Sequence, residues 1–288
     1  MNRKSVVTEL KEKVFQSDNP VSFYIGVNTI VFVMVALLGV TTYLAGNTSI
    51  RFTDYVTEYF AFPASFSKIP VRFYTIITYQ FFHDGLLHVL FNMLWLFWIG
   101  RIFMDFLKPR QFHFVYLSGG IMGALVFALS YNLFPVFAPI VHFSTVIGSS
   151  ASVMAIAVAT TTLVPEYEIR LLLIGNVKLK YIVLVYVVLD LIGLSAPNAG
   201  GSFAHLGGAL MGFIYIKLLQ SGKDWSNWFK KKPKLKVVKN ETYRSSVNKK
   251  MNAVNQQEVD AILDKISKTG YDKLSKEEKE TLFKASKH

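Results

Sequence analysis

Residues 86–107 read LLHVLFNMLWLFWIGRIFMDFL. At 1.5 Å per residue, a helix of this length crosses the roughly 30 Å hydrocarbon core of a bilayer. Near its start lie His88 and Asn92, four residues apart and therefore on one helical face. Five further apolar runs, at roughly 21–44, 112–131, 147–164, 179–195 and 204–220, repeat the pattern. Of the 288 residues 52% are hydrophobic and only 17% charged, and the mean hydropathy is +0.35. These values lie outside the range of soluble domains. The sequence predicts an all-α membrane protein, a bundle of six transmembrane helices with a short helical tail on the cytoplasmic side.

Six spans put both termini on one side, and the distribution of Lys and Arg decides which. Arg3, Lys4, Lys11 and Lys13 precede the first span; Arg101, Lys108 and Arg110 flank the second connection; Arg170, Lys178 and Lys180 lie in the fourth. The connections at 132–146 and 196–203 hold no Lys or Arg, and the long stretch 45–85 has only Arg51, Lys68 and Arg72. Both termini are therefore expected in the cytoplasm. The first run follows about 20 polar residues and is longer than a signal-peptide core, which predicts an uncleaved first span. With no transit-peptide pattern, the expected location is a bacterial-type plasma (inner) membrane.

The chain divides into a cytoplasmic segment (1–20), a membrane domain (21–220), a basic linker (221–255) and a helical hairpin (256–288). Residues 221–288 carry 17 Lys and Arg against 9 Asp and Glu, a net +8 of the chain's +12. Beside six spans, this excess points to lipid headgroups rather than nucleic acid. In the hairpin, Val259, Ile262, Leu263 and Ile266 share a face that ends near Gly270, and Ser275 with Glu278 forms a capping box. So few apolar residues make no independent core, so the hairpin is expected to dock on its own membrane domain or on a cytoplasmic partner. In the first connection, Phe52, Tyr55, Val56, Tyr59 and Phe60 have helical spacing. That segment lies in the outer interface or covers the outer ends of the spans.

Small residues recur every four positions in the fourth and sixth runs: Ala151, Ala155 and Ala159 in one, Ala204, Gly208 and Gly212 in the other. Such stripes let helix backbones approach closely, which predicts that these two spans pack together. Gly119 and Gly123 give the third span a weaker version of that face. With the N-terminus inside, spans two, four and six start at the outer face, so His88, Asn92, Ser150 and His205 share a shallow depth. A hydroxyl beside an imidazole is a nucleophile with its general base. Ser150 follows Gly148 at a helix start, where free backbone N–H groups can stabilise an oxyanion. His88 and Asn92 could add donors.

HVLFN at 88–92, GSSA at 148–151 and AHLGG at 204–208, each on its own span and in this order, resemble the pattern of the rhomboid intramembrane serine proteases. The approach FYTIITYQFFHDGLLH (73–88) is similar to theirs as well, and the likeness covers about 20–220. The resemblance implies an endopeptidase that cleaves transmembrane segments near the outer leaflet with a Ser150–His205 dyad. The Ser150 backbone and the side chains of His88 and Asn92 would form the oxyanion hole, supported by Gly148, Ala204 and Gly208. No cofactor is implied; the partners are transmembrane protein substrates and membrane lipids. The sequence departs from the pattern at Ala151, where many members have Gly, and at Met154, where many have an aromatic. A Trp-Arg pair of some members reads Tyr74-Thr75, and an acidic residue near the end of span two reads Met104 with Asp105 adjacent.

Rival readings follow from the same residues. A serine in a membrane helix ordinarily bonds the preceding turn; Ser149 and Ser152 compete in register, and the Gly-x-Ser spacing selects Ser150. His83, His88 and His205 could ligate a metal, but their spacing fits no zinc pattern and cysteine is absent, which also excludes disulfides and thiol nucleophiles. His83 is expected to support the first loop, and His113 and His142 to lie in connections or interfaces. Asp190, the one carboxylate well inside a span, is read as a structural hydrogen-bond partner of a neighbouring helix, with a third catalytic member as the rival. A non-catalytic protein that binds or sorts membrane helices is the alternative function; loss of the nucleophile or base would mark it, and both are present. A transporter would want polar groups along the whole path.

Overall fold

The computed structural model of the chain describes residues 5–46, 52–171, 175–229 and 256–286, in two compact units, Met1–Lys230 and Lys231–His288. The Lys-rich part of the linker lies outside the described residues. In the first unit, α1 (Val6–Lys11) runs through a π turn (Glu12–Gln16) to α2 (Pro20–Leu44). Asn19 starts α2 by accepting the Val21 amide at 3.0 Å, and Pro20 fits the first turn, where no amide hydrogen is needed. Then come α3 (Phe52–Phe60), β1 (Phe62–Pro63), α4 (Thr75–Thr78), α5 (Leu86–Phe106), α6 (Pro109–Leu133) and β2 (Thr145–Val146). The unit continues with α7 (Ser150–Leu163), β3 (Glu168–Leu171), β4 (Gly175–Lys178), α8 (Leu179–Gly193) and α9 (Ala199–Gln220).

Among the described residues, four helices, α2, α5, α6 and α9, are long and apolar enough to cross a membrane. The other two expected spans form helices of 14 and 15 residues, α7 and α8, which rise only about 21 and 22 Å. The chain is mostly helical, as expected, and two short antiparallel sheets accompany the helices: β1 pairs with β2 (Phe62 opposite Val146), and β3 with β4 (Glu168 opposite Lys178). Strands of two and four residues are too short for alternation to register in the sequence.

The centre of the unit is α7. None of its residues is exposed, and it packs against α5, α6, α8 and α9. The stripes explain how so many neighbours fit. A β-carbon added at Gly208 would meet the Ala151 carbonyl oxygen at 2.0 Å, and one at Gly212 the Ala155 oxygen at 2.2 Å. On α6, a β-carbon at Gly119 would fall 2.2 Å from that of Ala155, and one at Gly123 2.6 Å from that of Ala151. Three helices thus meet almost backbone to backbone, the arrangement that favours close packing where lipid supplies no hydrophobic drive between helices.

Two polar features frame this core. At one end, the Asp224 carboxylate ties the start of α6 to the chain after α9. It accepts from Arg110 (3.0 Å), Gln111 (3.3 Å), Tyr215 (3.0 Å) and the Ser226 hydroxyl (2.6 Å). Burial raises this carboxyl, but the hydrogen bonds of Ser226 and Tyr215 and the Arg110 charge outweigh it, so the group lies below its ordinary value. At the other end, Arg72 donates to the Ala61 carbonyl (2.9 Å) and Tyr74 to that of Tyr59 (2.8 Å), holding α3 beside α4. On α3, Val56 is buried while Tyr55, Tyr59 and Phe60 are exposed. His113 and His142 sit where expected, against Tyr24 of α2 and Ser65 of the first connection.

In the second unit, α10 (Gln256–Thr269) and α11 (Lys276–Ser286) form a helical hairpin. The capping box is present: the Ser275 amide donates to Glu278 at 2.7 Å, and the Glu278 amide to the Ser275 hydroxyl at 3.2 Å. Ile262 and Leu274 are buried, while Leu263 and Phe283 are exposed.

Candidate active site

The turn into α7 is built from three consecutive small residues. Gly148 has φ +125°, a region in which L side chains are strained, and its amide donates to the Tyr79 carbonyl at 3.0 Å. Ser149 is the N-cap and Ser150 the first helical residue, so Ser150 lies where the helix has unpaired N–H groups and positive dipole potential. Space is the second reason for glycine. A β-carbon at Gly148 would sit 2.9 Å from His88 Nε2 and 3.7 Å from the Ser150 hydroxyl oxygen. The Cε1–Nε2 edge of the His88 ring therefore fills the hollow over Gly148, and Ser150 borders the same space.

The rival serines are committed elsewhere. Ser149 is fully buried, and its hydroxyl lies 3.1 Å from His83 Nε2, which also accepts the Ser149 amide at 3.4 Å. Ser152 is fully buried and donates to Gln80 Oε1 at 2.9 Å. Ser150 is partly exposed. Thus His83 supports the cap of the serine helix as well as the first loop, a role that its sequence position did not reveal. Burial first, and the neighbouring His88 second, push the His83 imidazole down to about 3, so it stays neutral while it accepts these bonds.

His205 is on α9, beyond the contact of Gly208 with Ala151. Its Nδ1 lies 2.8 Å from the Asp190 carboxylate of α8, and both side chains are nearly buried. An Nδ1–H donated to a carboxylate leaves Nε2 with a free lone pair, the form in which imidazole accepts a proton. Asp190 therefore does bond a neighbouring helix, and its partner there is the candidate base. The second Asp190 oxygen is buried without a hydrogen-bond partner among the described residues. No hydrogen bond joins Ser150 to His205 among the described residues; in resting enzymes such bonds are often long and tighten with substrate. The Asn92 side-chain amide donates to the His88 carbonyl at 2.9 Å, back onto its own helix. Ala204 lies against α6, its carbonyl 2.7 Å from a β-carbon placed at Gly123.

One pair escaped the sequence reading. Asp84 Oδ1 lies 2.8 Å from His88 Nδ1. The signal was an acidic residue four positions before a histidine at the start of a helix.

Fold and site together define a class: a multi-pass helical membrane protein built on the helix trio α6, α7 and α9, with two histidines against the Gly148–Ser150 turn and a His205–Asp190 pair joining α9 to α8. The family model described as Rhomboid domain matches residues 70–221, more than half of the chain, and the chain belongs to the rhomboid family. A second model, described as a family of unknown function (DUF6576), matches residues 246–288. Presenilin-associated rhomboid-like protein A, mitochondrial, of Danio rerio is 30% identical over 143 residues, 48% of this chain and 35% of its own length. The chain thus spans about a third of that relative.

Proposed function

We propose that this rhomboid-family protein is an intramembrane serine endopeptidase with Ser150 as nucleophile and His205 as general base. The observation that carries this reading is the fixed orientation of His205: Asp190 holds Nδ1 at 2.8 Å, which leaves Nε2 to take the Ser150 proton and return it to the leaving amine. The helix start at Ser150 supplies backbone donors to the tetrahedral intermediate, and His88, facing the same hollow, supplies a side-chain donor. Asn92 joins the oxyanion hole once its amide leaves the His88 carbonyl. Gly148, Ala204 and Gly208 support the arrangement by letting the three helices close. Substrates are transmembrane segments of other proteins, cut near the outer leaflet of a bacterial-type plasma membrane, with six apolar helices in the bilayer and both termini in the cytoplasm.

The test is cleavage of a membrane-spanning substrate by the purified protein in lipid vesicles, beside Ser150→Ala and His205→Ala of matched thermal stability. Cleavage by the parent and none above background by either variant is the expected result. Cleavage that survives both substitutions would overturn the assignment. No cleavage by the parent across several substrates would favour a helix-binding function.

A further inference from the structure

Two histidines in this site hold a carboxylate at Nδ1, and the same contact has opposite consequences for them. For His205, an Nδ1–H given to Asp190 leaves Nε2 unprotonated, as a base requires. For His88, an Nδ1–H given to Asp84 also leaves Nε2 unprotonated in the neutral ring, and such a nitrogen repels an oxyanion. Yet the edge of His88 that faces the hollow beside Ser150 is the one that carries Cε1 and Nε2. Only the imidazolium, with hydrogens on both nitrogens, satisfies the Asp84 carboxylate and donates into the hollow at once.

His88 is the third residue of α5, at the positive end of the helix dipole. His83, whose ring centre is 5.0 Å away, adds no negative charge to offset it. Of the helices packed against α5, neither α2 nor α7 contains an Asp, Glu, Lys, Arg or His, and α6 contributes only Arg110 and His113 in its first turns. The other contact of the His88 ring is with the Gly148–Ser150 turn, which is neutral. Asp84 is thus the acidic group paired with His88.

Building on the protease reading, we infer that Asp84 is a positioning residue that holds His88 as an imidazolium, so that the oxyanion hole is cationic. His88 then gives the tetrahedral oxyanion a charge-assisted hydrogen bond from Nε2–H without transferring a proton. The negative charge that forms on the substrate oxygen falls between this cation and the amides at the start of α7. Such bonds are shorter and about twice as strong as neutral ones.

The experiment compares the full-length parent with Asp84→Asn and Asp84→Glu in vesicles. It measures kcat and KM for one membrane-spanning substrate from acid to alkaline pH, and nitrogen NMR of labelled imidazoles in the substrate-free protein, with His88 assigned by its loss in His88→Ala. In Asp84→Asn, kcat is expected to fall about 10-fold or more at alkaline pH, with KM little changed, and to approach the parent on the acid side. Its His88 should lose the second ring proton at lower pH than the parent, and Asp84→Glu should restore both behaviours. Coincident pH profiles for parent and Asp84→Asn, or an unprotonated Nε2 on the parent's His88 where the parent cleaves best, would overturn the inference and leave the protease reading standing. If the parent cleaves nothing, the protease reading falls, and the NMR comparison alone decides whether Asp84 holds the imidazolium.

Discussion

Asp190 has one oxygen on His205 and the other buried without a partner among the described residues. Asp190→Asn keeps the shape but offers Nδ1 either an amide oxygen or an amide donor, and the donor orientation forces the wrong tautomer. Cleavage is expected to fall in kcat by about 10²- to 10⁴-fold, with unchanged thermal stability and little change in KM; kinetics on matched preparations check this. A drop at the upper end would make Asp190 a full third member of the catalytic group. The sequence made Ser150, His205, His88 and Asn92 legible as candidates because each sits in the first turns of an apolar helix, where a polar residue stands out. What it could not carry were the second partners. Asp190 precedes His205 by 15 residues and reaches it from another helix, so no periodicity links them. Asp84 lies outside the apolar run of α5, where no cost of burial in hydrocarbon marks it. His83 belongs by position to the loop, while its bond to Ser149 depends on the folded turn.

The stripes of small residues gave the most reliable reading at the level of elements. Spacing of four in the fourth and sixth runs predicted that α7 and α9 pack closely, and Gly208 against the Ala151 carbonyl is that contact. Gly208→Ala must separate the two backbones, because a carbonyl of the helix ladder cannot rotate away. The expected cost is about 1–3 kcal/mol, read as a lower thermal midpoint in detergent, with cleavage reduced beyond the loss of folded protein because α9 carries His205. A midpoint equal to the parent's would mean that the helices are held apart by something else. Boundaries were less legible. The apolar run at 147–164 continues three residues before the first helical residue, since Ile147, Gly148 and Ser149 form the turn and not the span. The β3–β4 hairpin went unread because its residues, EIRL and GNVK, alternate only once or twice before the chain turns.

The first unit as a whole holds neutral polar groups that resist charging. His83, pushed down to about 3, takes up a proton in the unfolded chain near its ordinary value of about 6.5. Between those two values the unfolded state binds more protons than the folded one, so stability falls as the pH is lowered through this window and is constant above it. Thermal unfolding between pH 7 and pH 4 should show the decline, and His83→Gln should flatten it. A parent whose midpoint does not move over that range would contradict this account of the buried ring. The bundle's arrangement has a further consequence. No residue of α7 is exposed, so a surrounding bilayer acts on the helix that carries Ser150 chiefly through the helices packed on it. Among those neighbours is α8, whose outward face is a row of exposed Leu, Val and Ile. That face can be retuned by substitution for a stiffer or looser bilayer while the surroundings of Ser150 stay the same.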